Sequence, residues 1–169
     1  MKPLKSWLNI ELSVKKHTKI NGASRKNKYP NAIFLLFTNG TIINRRTIEA
    51  FQESHHVIPF LSYEGNYGLN NSRRGNGSGS LIDNSLSILQ QSELVYGFSS
   101  LATPANVDYI TSAAYFKKME DKGMAFAFII DYTPVGNSIE NTMVLNDSEL
   151  ERKKQNLQKR KKDSNIIFF

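Results

Sequence analysis

The chain reads as an α+β fold: a single domain with a mixed or antiparallel β-sheet core, flanked by short helices. Three observations predict this. Apolar, aromatic-rich runs of strand length recur at Ala32–Thr38, Val57–Tyr63, Leu94–Ser100 and Met124–Tyr132. Between them lie stretches with apolar residues three and four apart, the pattern of a helix with one buried face. Asn39-Gly40 separates Ala32–Thr38 from Thr41–Arg45, and that dipeptide favours a tight hairpin, hence antiparallel pairing.

Residues 1–30 form a basic arm (Lys15, Lys16, Lys19, Arg25, Lys26, Lys28), read as a solvated lead-in to a domain over residues 31–150. Within that domain, the hairpin is followed by a short helix at Thr47–Ser54, with Ile48 and Phe51 on one side. Pro59 interrupts Val57–Tyr63 and predicts an edge strand, because proline donates nothing to a ladder. Gly65–Ser80 holds five glycines and four asparagines and reads as a long loop. Ser85–Gln91 fits helix and strand equally. Leu94–Ser100 is a strand ending on two hydroxyls. Thr103-Pro104 then opens a helix with Val107, Ile110 and Ala114 on its apolar face, and Lys117, Lys118, Lys122 and Gly123 at its end. Met124–Tyr132 is a buried strand, and polar Asn137–Asn146 leads to Asp147-Ser148-Glu149.

Composition narrows the classes. A chain of 169 residues suits about one domain with a real core. No cysteine is present, which excludes disulfides and thiolate chemistry within these residues. No run approaches the ~18–20 apolar residues of a membrane helix. Met1–Val14 carries Asn9 and Glu11 where a signal peptide needs an unbroken apolar stretch. The formal charge of +7 equals the seven cations of the tail, residues 151–169: Arg152, Lys153, Lys154, Lys159, Arg160, Lys161 and Lys162. Such a run binds nucleic acid or an anionic membrane surface, or is simply a solvated helix. Ile166–Phe169 is apolar and could dock on the domain or on a partner.

The order strand, Ser99-Ser100, Thr103-Pro104 helix, core strand, then Asp147-Ser148-Glu149 resembles the mono-ADP-ribosyltransferase toxins of the pertussis, typhoid and cholera group. The resemblance covers roughly residues 41–150 and rests on order and spacing. It implies an ADP-ribosyltransferase-like fold, NAD as cofactor, and transfer of ADP-ribose to a protein acceptor. Glu149 would then be the catalytic carboxylate, stabilising the oxocarbenium-like transition state. Asp147 would face the nucleophile, one methylene shorter than the Glu or Gln of the family. Ser99 and Ser100 would shape the cofactor cleft. Arg45, with Arg46 second, would grip the phosphate through its planar fork. Without such an arginine in the cleft the chain would be an inactive relative. The same resemblance implies a secreted or delivered effector on a non-classical route, with a possible delivery subunit; otherwise the default is cytoplasmic.

Each motif also has a plainer reading. Asp147-Ser148-Glu149 is equally a helix N-terminus before the basic run. Ser99-Ser100 is equally an ordinary strand end. A second enzyme class competes: Ser54-His55-His56-Val57 resembles the start of a ββα-metal (HNH) nuclease, with Asp83-Asn84 downstream and the basic tail holding phosphates. Only His17, His55 and His56 are present, so that site lacks its later histidine, and no metal is assigned. A non-catalytic binding module is the third reading.

Overall fold

A computed structural model of the chain describes residues 32–134 and 141–169. The basic arm over residues 1–30, His17, and the first part of the Asn137–Asn146 segment lie outside these described residues.

Five strands form one sheet in the order β1-β2-β3-β4-β5: Phe34–Thr38, Val57–Ser62, Gly97–Ala102, Phe126–Asp131 and Ile167–Phe168. Every neighbouring pair is parallel. A parallel pair needs a crossover of a dozen or more residues, and each connection supplies helices. These are α1 (Arg45–Glu53), α2 (Tyr67–Arg74), α3 (Ser78–Gln90), α4 (Val107–Ile110), α5 (Ala113–Asp121) and α6 (Asp147–Asp163). Strands added always at the same side by right-handed crossovers place every helix on one face. The fold is a singly wound parallel α/β sheet, and the expected mixed or antiparallel α+β core is corrected accordingly.

The correction begins at Asn39-Gly40. Asn39 Oδ1 accepts from the Thr41 amide at 3.1 Å and the Thr41 hydroxyl at 2.9 Å, closing a local turn. Gly40 takes φ 76°, available to glycine without strain. The turn feeds a helix, not a returning strand. Asn44 caps that helix through the Thr47 amide, so Arg45 and Arg46 open α1 instead of ending a strand. Pro59 is also placed differently, because β2 is interior. It pairs with Leu36, whereas β3 joins β2 only from Phe60 onward, so no β3 residue stands opposite the missing donor.

The glycine- and asparagine-rich segment is mostly helical. Asn66 caps α2 through the Leu69 amide at 2.9 Å, and Gly75 and Gly77, with φ of 94° and 86°, break the chain between α2 and α3. Ser85–Gln90 resolves as part of α3. The acidic motif becomes a capping box: Asn146 Oδ1 accepts from the Glu149 amide at 3.0 Å, and Glu149 returns a bond to the Asn146 amide at 2.9 Å.

One face of the sheet is buried. Leu61, Tyr63, Phe98, Ala102, Ala127 and Ile129 meet Ile48, Phe51, Ile82, Leu86, Leu89, Ile110, Phe116 and Met119 from the helices. Ile166 belongs to this core at 4% exposure, and Phe168 packs against it, so the end of the tail enters the sheet. The opposite face alternates with it: Leu35, Phe37, Ile58, Phe60, Ser62, Gly97, Ser99, Leu101, Phe126, Phe128, Ile130 and Ile167. No charged side chain stands on these twelve positions.

Candidate functional site at the carboxyl ends of the strands

In singly wound and open parallel sheets, ligands bind where the strands end, because the loops there converge while the helices close the far side. The ends of β2 and β3 carry polar groups, and the uncharged face beside them carries an aromatic base.

The base lies on the uncharged face. Phe37 stacks on Phe60 with centroids 5.2 Å apart, and Phe128 meets both edge-on at 5.4 and 5.2 Å. Phe169 stacks on Phe128 at 5.0 Å. Gly97 makes this packing possible. A Cβ there would lie 2.6 Å from the Phe60 ring and 2.7 Å from the Phe126 carbonyl. Two residues further along each strand, Ser62, Ser99 and Phe128 stand in one register row. The Ser99 hydroxyl reaches that of Ser62 at 3.4 Å.

Beyond β2, the chain turns through Tyr63-Glu64-Gly65. Glu64 is a carboxylate only 2% exposed. Its Oε1 accepts from Arg73, and from Arg74 Nη2 at 2.6 Å and Nε at 3.0 Å. Glu64 Oε2 and Asn70 Nδ2 are buried without a partner among the described residues. Two guanidinium groups on one carboxylate leave an excess positive charge at this edge. Burial pulls the Arg73 guanidinium below its ordinary pKa, and the Glu64 charge works against that pull. Asn106 ties the neighbouring strand ends together: its Nδ2 donates to the carbonyls of Leu101 at 2.9 Å and Glu64 at 3.4 Å, while its Oδ1 accepts from the Thr103 amide at 2.8 Å.

The residues singled out from the sequence do not assemble in one place. Ser99 faces the aromatic base, but Ser100 faces the helices, donating to the Tyr63 carbonyl at 2.6 Å and meeting the Tyr115 hydroxyl at 3.1 Å. Arg45 is 95% exposed and pairs with Glu49 one turn along α1, and Arg46 is exposed beside it. Asp147 and Glu149 occupy the first turn of α6. His55 and His56 precede β2, at the amino end of the strands. His55 is exposed, and the His56 ring lies edge-on to Phe34 at 5.5 Å. Asp83 and Asn84 are on α3. Among the described residues no group of three or more His, Cys, Asp or Glu could hold a metal.

The basic helix is largely neutralised at home. Arg152 pairs with Asp108, Lys153 with Asp131, Lys154 with Glu151 and Arg160 with Asp163, while Lys161 lies over the Phe168 ring. No helix among the described residues is long and apolar enough to cross a membrane.

No family model and no curated protein matches the sequence. Solved structures do match. Streptococcus suis SuiB, also solved bound to S-adenosylmethionine (AdoMet), aligns with a TM-score of 0.66 at 14% identity over 80% of this chain. Native anSMEcpe with bound AdoMet and Kp18Cys peptide aligns at 0.64 and 18% over 85%. SuiB bound to the precursor peptide SuiA aligns at 0.58 and 13% over 79%. The likeness is one of fold. The chain spans 32% of SuiB and 42% of anSMEcpe, so it corresponds to part of their length.

These matches overturn the resemblance to ADP-ribosyltransferase toxins. The neighbours carry AdoMet where the resemblance implied NAD, and they point away from ADP-ribosylation, HNH-type cleavage at His55-His56 and a non-catalytic module. Nor do they support secretion. Glu64, Arg73, Arg74 and Asn106 were missed in the sequence. Their signal is faint: an acid directly after an apolar run, and an Arg pair nine and ten residues on. It becomes meaningful only once the strands are known to be parallel.

Proposed function

We propose that these residues form the cofactor-binding part of an AdoMet-dependent enzyme of the radical SAM type that acts on a peptide. The observation that carries this reading is the polar, Arg-bearing carboxyl edge of a parallel sheet whose fold recurs in AdoMet-bound, peptide-bound structures. The chemistry of the edge suits the ligand. AdoMet presents an adenine face, ribose hydroxyls, a sulfonium cation, and an amino-acid end with ammonium and carboxylate. Ser62 and Ser99 offer hydroxyls that both donate and accept. Arg73 and Arg74 carry the guanidinium forks that recognise a carboxylate, and the free Oε2 of Glu64 accepts from an ammonium.

Radical chemistry on AdoMet takes its electron from an iron–sulfur cluster, and such clusters are held by cysteine thiolates. These 169 residues contain no cysteine, and the described residues hold no cluster of alternative ligands. The donor set does not fit, and no step through a cluster is derived.

Titration calorimetry with AdoMet tests the reading. Saturable binding is expected, with Arg74→Gln weakening it by about tenfold through loss of a charge-assisted pair. No heat at ~1 mM AdoMet, from a chain whose circular dichroism is that of a folded α/β protein, would sink it.

A further inference from the structure

The uncharged face of the sheet is open to a degree that parallel sheets avoid, since their strands are covered on both sides. Here the helices cover one side only. On the other, Leu35 is 41% exposed, Ile130 45%, Ile167 57% and Phe169 68%, while Phe37, Phe126 and Phe128 are partly open. At ~150–250 Å² per large side chain, these fractions leave roughly 500–600 Å² of apolar surface on one face. That is at the upper end of what a monomer shows, and it approaches the ~800 Å² that each partner contributes to a standard interface. Exposure is greatest at the margins. Leu35 lies on β1 and Ile167 on β5, the two strands at which the sheet ends among the described residues, whereas Phe60 between them is fully buried.

A second copy of the chain meets both margins at once. Half a turn about an axis parallel to the strands lays β5 of one copy beside β1 of the other, running the same way. The operation does so at both junctions, so the ring closes at two chains and leaves no sheet edge. Five strands from each copy make ten. Ten strands enclose a wider interior than eight, and this face supplies bulky side chains to fill it: Phe37, Phe60, Phe126, Phe128 and Phe169. Charge does not oppose the contact. Each chain carries a formal +7, but none of it stands on this face, and the basic α6 belongs to the helical layer, which faces outwards. We propose that two copies join through this face and these edges as a barrel-like dimer, with the carboxyl ends of both sheets at one mouth. Ser62, Ser99 and the Glu64 cluster of each chain then stay accessible from that mouth. The inference is independent of the AdoMet reading.

Sedimentation equilibrium of the 169-residue chain, from about 1 to 100 μM, tests the assembly. The mass of two chains is expected. Leu35→Lys and Ile167→Lys, at positions exposed in the single chain, should each weaken association by about a hundredfold or more, because the ammonium finds no counter-charge on that face. Leu81→Lys, exposed on α3 in the helical layer, should leave the dimer intact. Circular dichroism checks folding, and either folded face variant suffices. The chain has no cysteine, so introduced thiols report the arrangement. In a mixture of Leu35→Cys and Ile167→Cys chains, a short thiol-specific cross-linker should join unlike chains in preference to like ones. A folded chain that stays monomeric at ~100 μM, a dimer indifferent to both face variants, assembly beyond two chains, or cross-linking of like with like would overturn the proposal.

Discussion

Gly97 and Glu64 show how much single residues decide at this sheet. Gly97 sits between Phe60 and Phe126 in register, where even a methyl group collides with ring and backbone. Gly97→Ala is expected to destabilise the fold by about 1–3 kcal/mol, the usual cost of overpacking, and to loosen the rings it spaces. Denaturant melts measure the first effect. Glu64 is buried with two guanidinium partners, and removing its charge strands them. Glu64→Gln should therefore cost about 3 kcal/mol, far more than an exposed pair would. A loss below ~0.5 kcal/mol would mean that solvent screens the cluster. The buried tyrosines give a pH dependence whose sign is fixed. Burial raises the pKa of Tyr63, Tyr115 and Tyr96, so each keeps its proton in the folded state after the unfolded chain has lost it. The unfolded state then binds fewer protons, and stability falls as pH rises above about 10. Thermal melts between pH 8 and 11 should show that fall, and Tyr63→Phe should lessen it. None of these residues was singled out as a site, because a glycine, an acid and a tyrosine acquire their meaning from neighbours distant in sequence.

At the scale of elements, strand positions were legible and their partners were not. Ala32–Thr38, Val57–Tyr63 and Met124–Tyr132 contain β1, β2 and β4, because apolar runs of that length fit a sheet whichever way it is paired. Asn39-Gly40 misled, since the same dipeptide that closes a hairpin also closes the turn before a helix. The glycine-rich segment misled in the other direction: Asn66 capping and Asn71 contacts to Ser78 and Gly79 order two helices where composition suggested a loop. The acidic motif has one element-scale role, as the first turn of α6. Asn146→Ala should destabilise by about 1 kcal/mol through loss of the cap. Glu149→Gln should cost only a few tenths of a kcal/mol and leave AdoMet binding unchanged, where the toxin resemblance required loss of activity. A large drop in AdoMet affinity in Glu149→Gln would return that residue to the site.

For the whole molecule, charge and hydropathy pull the tail in opposite directions, and packing decides between them. The sequence presents residues 151–169 as a basic appendage, so that deleting 152–169 would leave a near-neutral domain that still folds. In the structure the appendage closes the sheet. Arg152 and Lys153 reach Asp108 and Asp131, Asn156 donates to Thr111 at 3.1 Å, and Ser164 and Asn165 both bond Glu120. The exposed ion pairs are worth little individually. The weight lies in Ile166 and Phe168. Burying Ile166 contributes about 1.5–3 kcal/mol and half-buried Phe168 a smaller amount, and β5 satisfies the outer edge of β4 besides. A loss of about 2–4 kcal/mol is a large share of a domain's total of about 5–15 kcal/mol. Deletion of 152–169 is therefore expected to leave a chain that melts far lower or does not fold. Deleting only 164–169 should reproduce most of that loss, since it removes the apolar strand and spares the cations. Circular dichroism melts of the two truncations measure this directly. A full-height transition in the longer deletion would show that β4 needs no partner at that edge. The same comparison bears on the tail as a nucleic-acid element: four of its seven cations are paired to acids of its own chain, so three are left for phosphates without breaking an ion pair. Any such affinity should be weak and should fall steeply with salt.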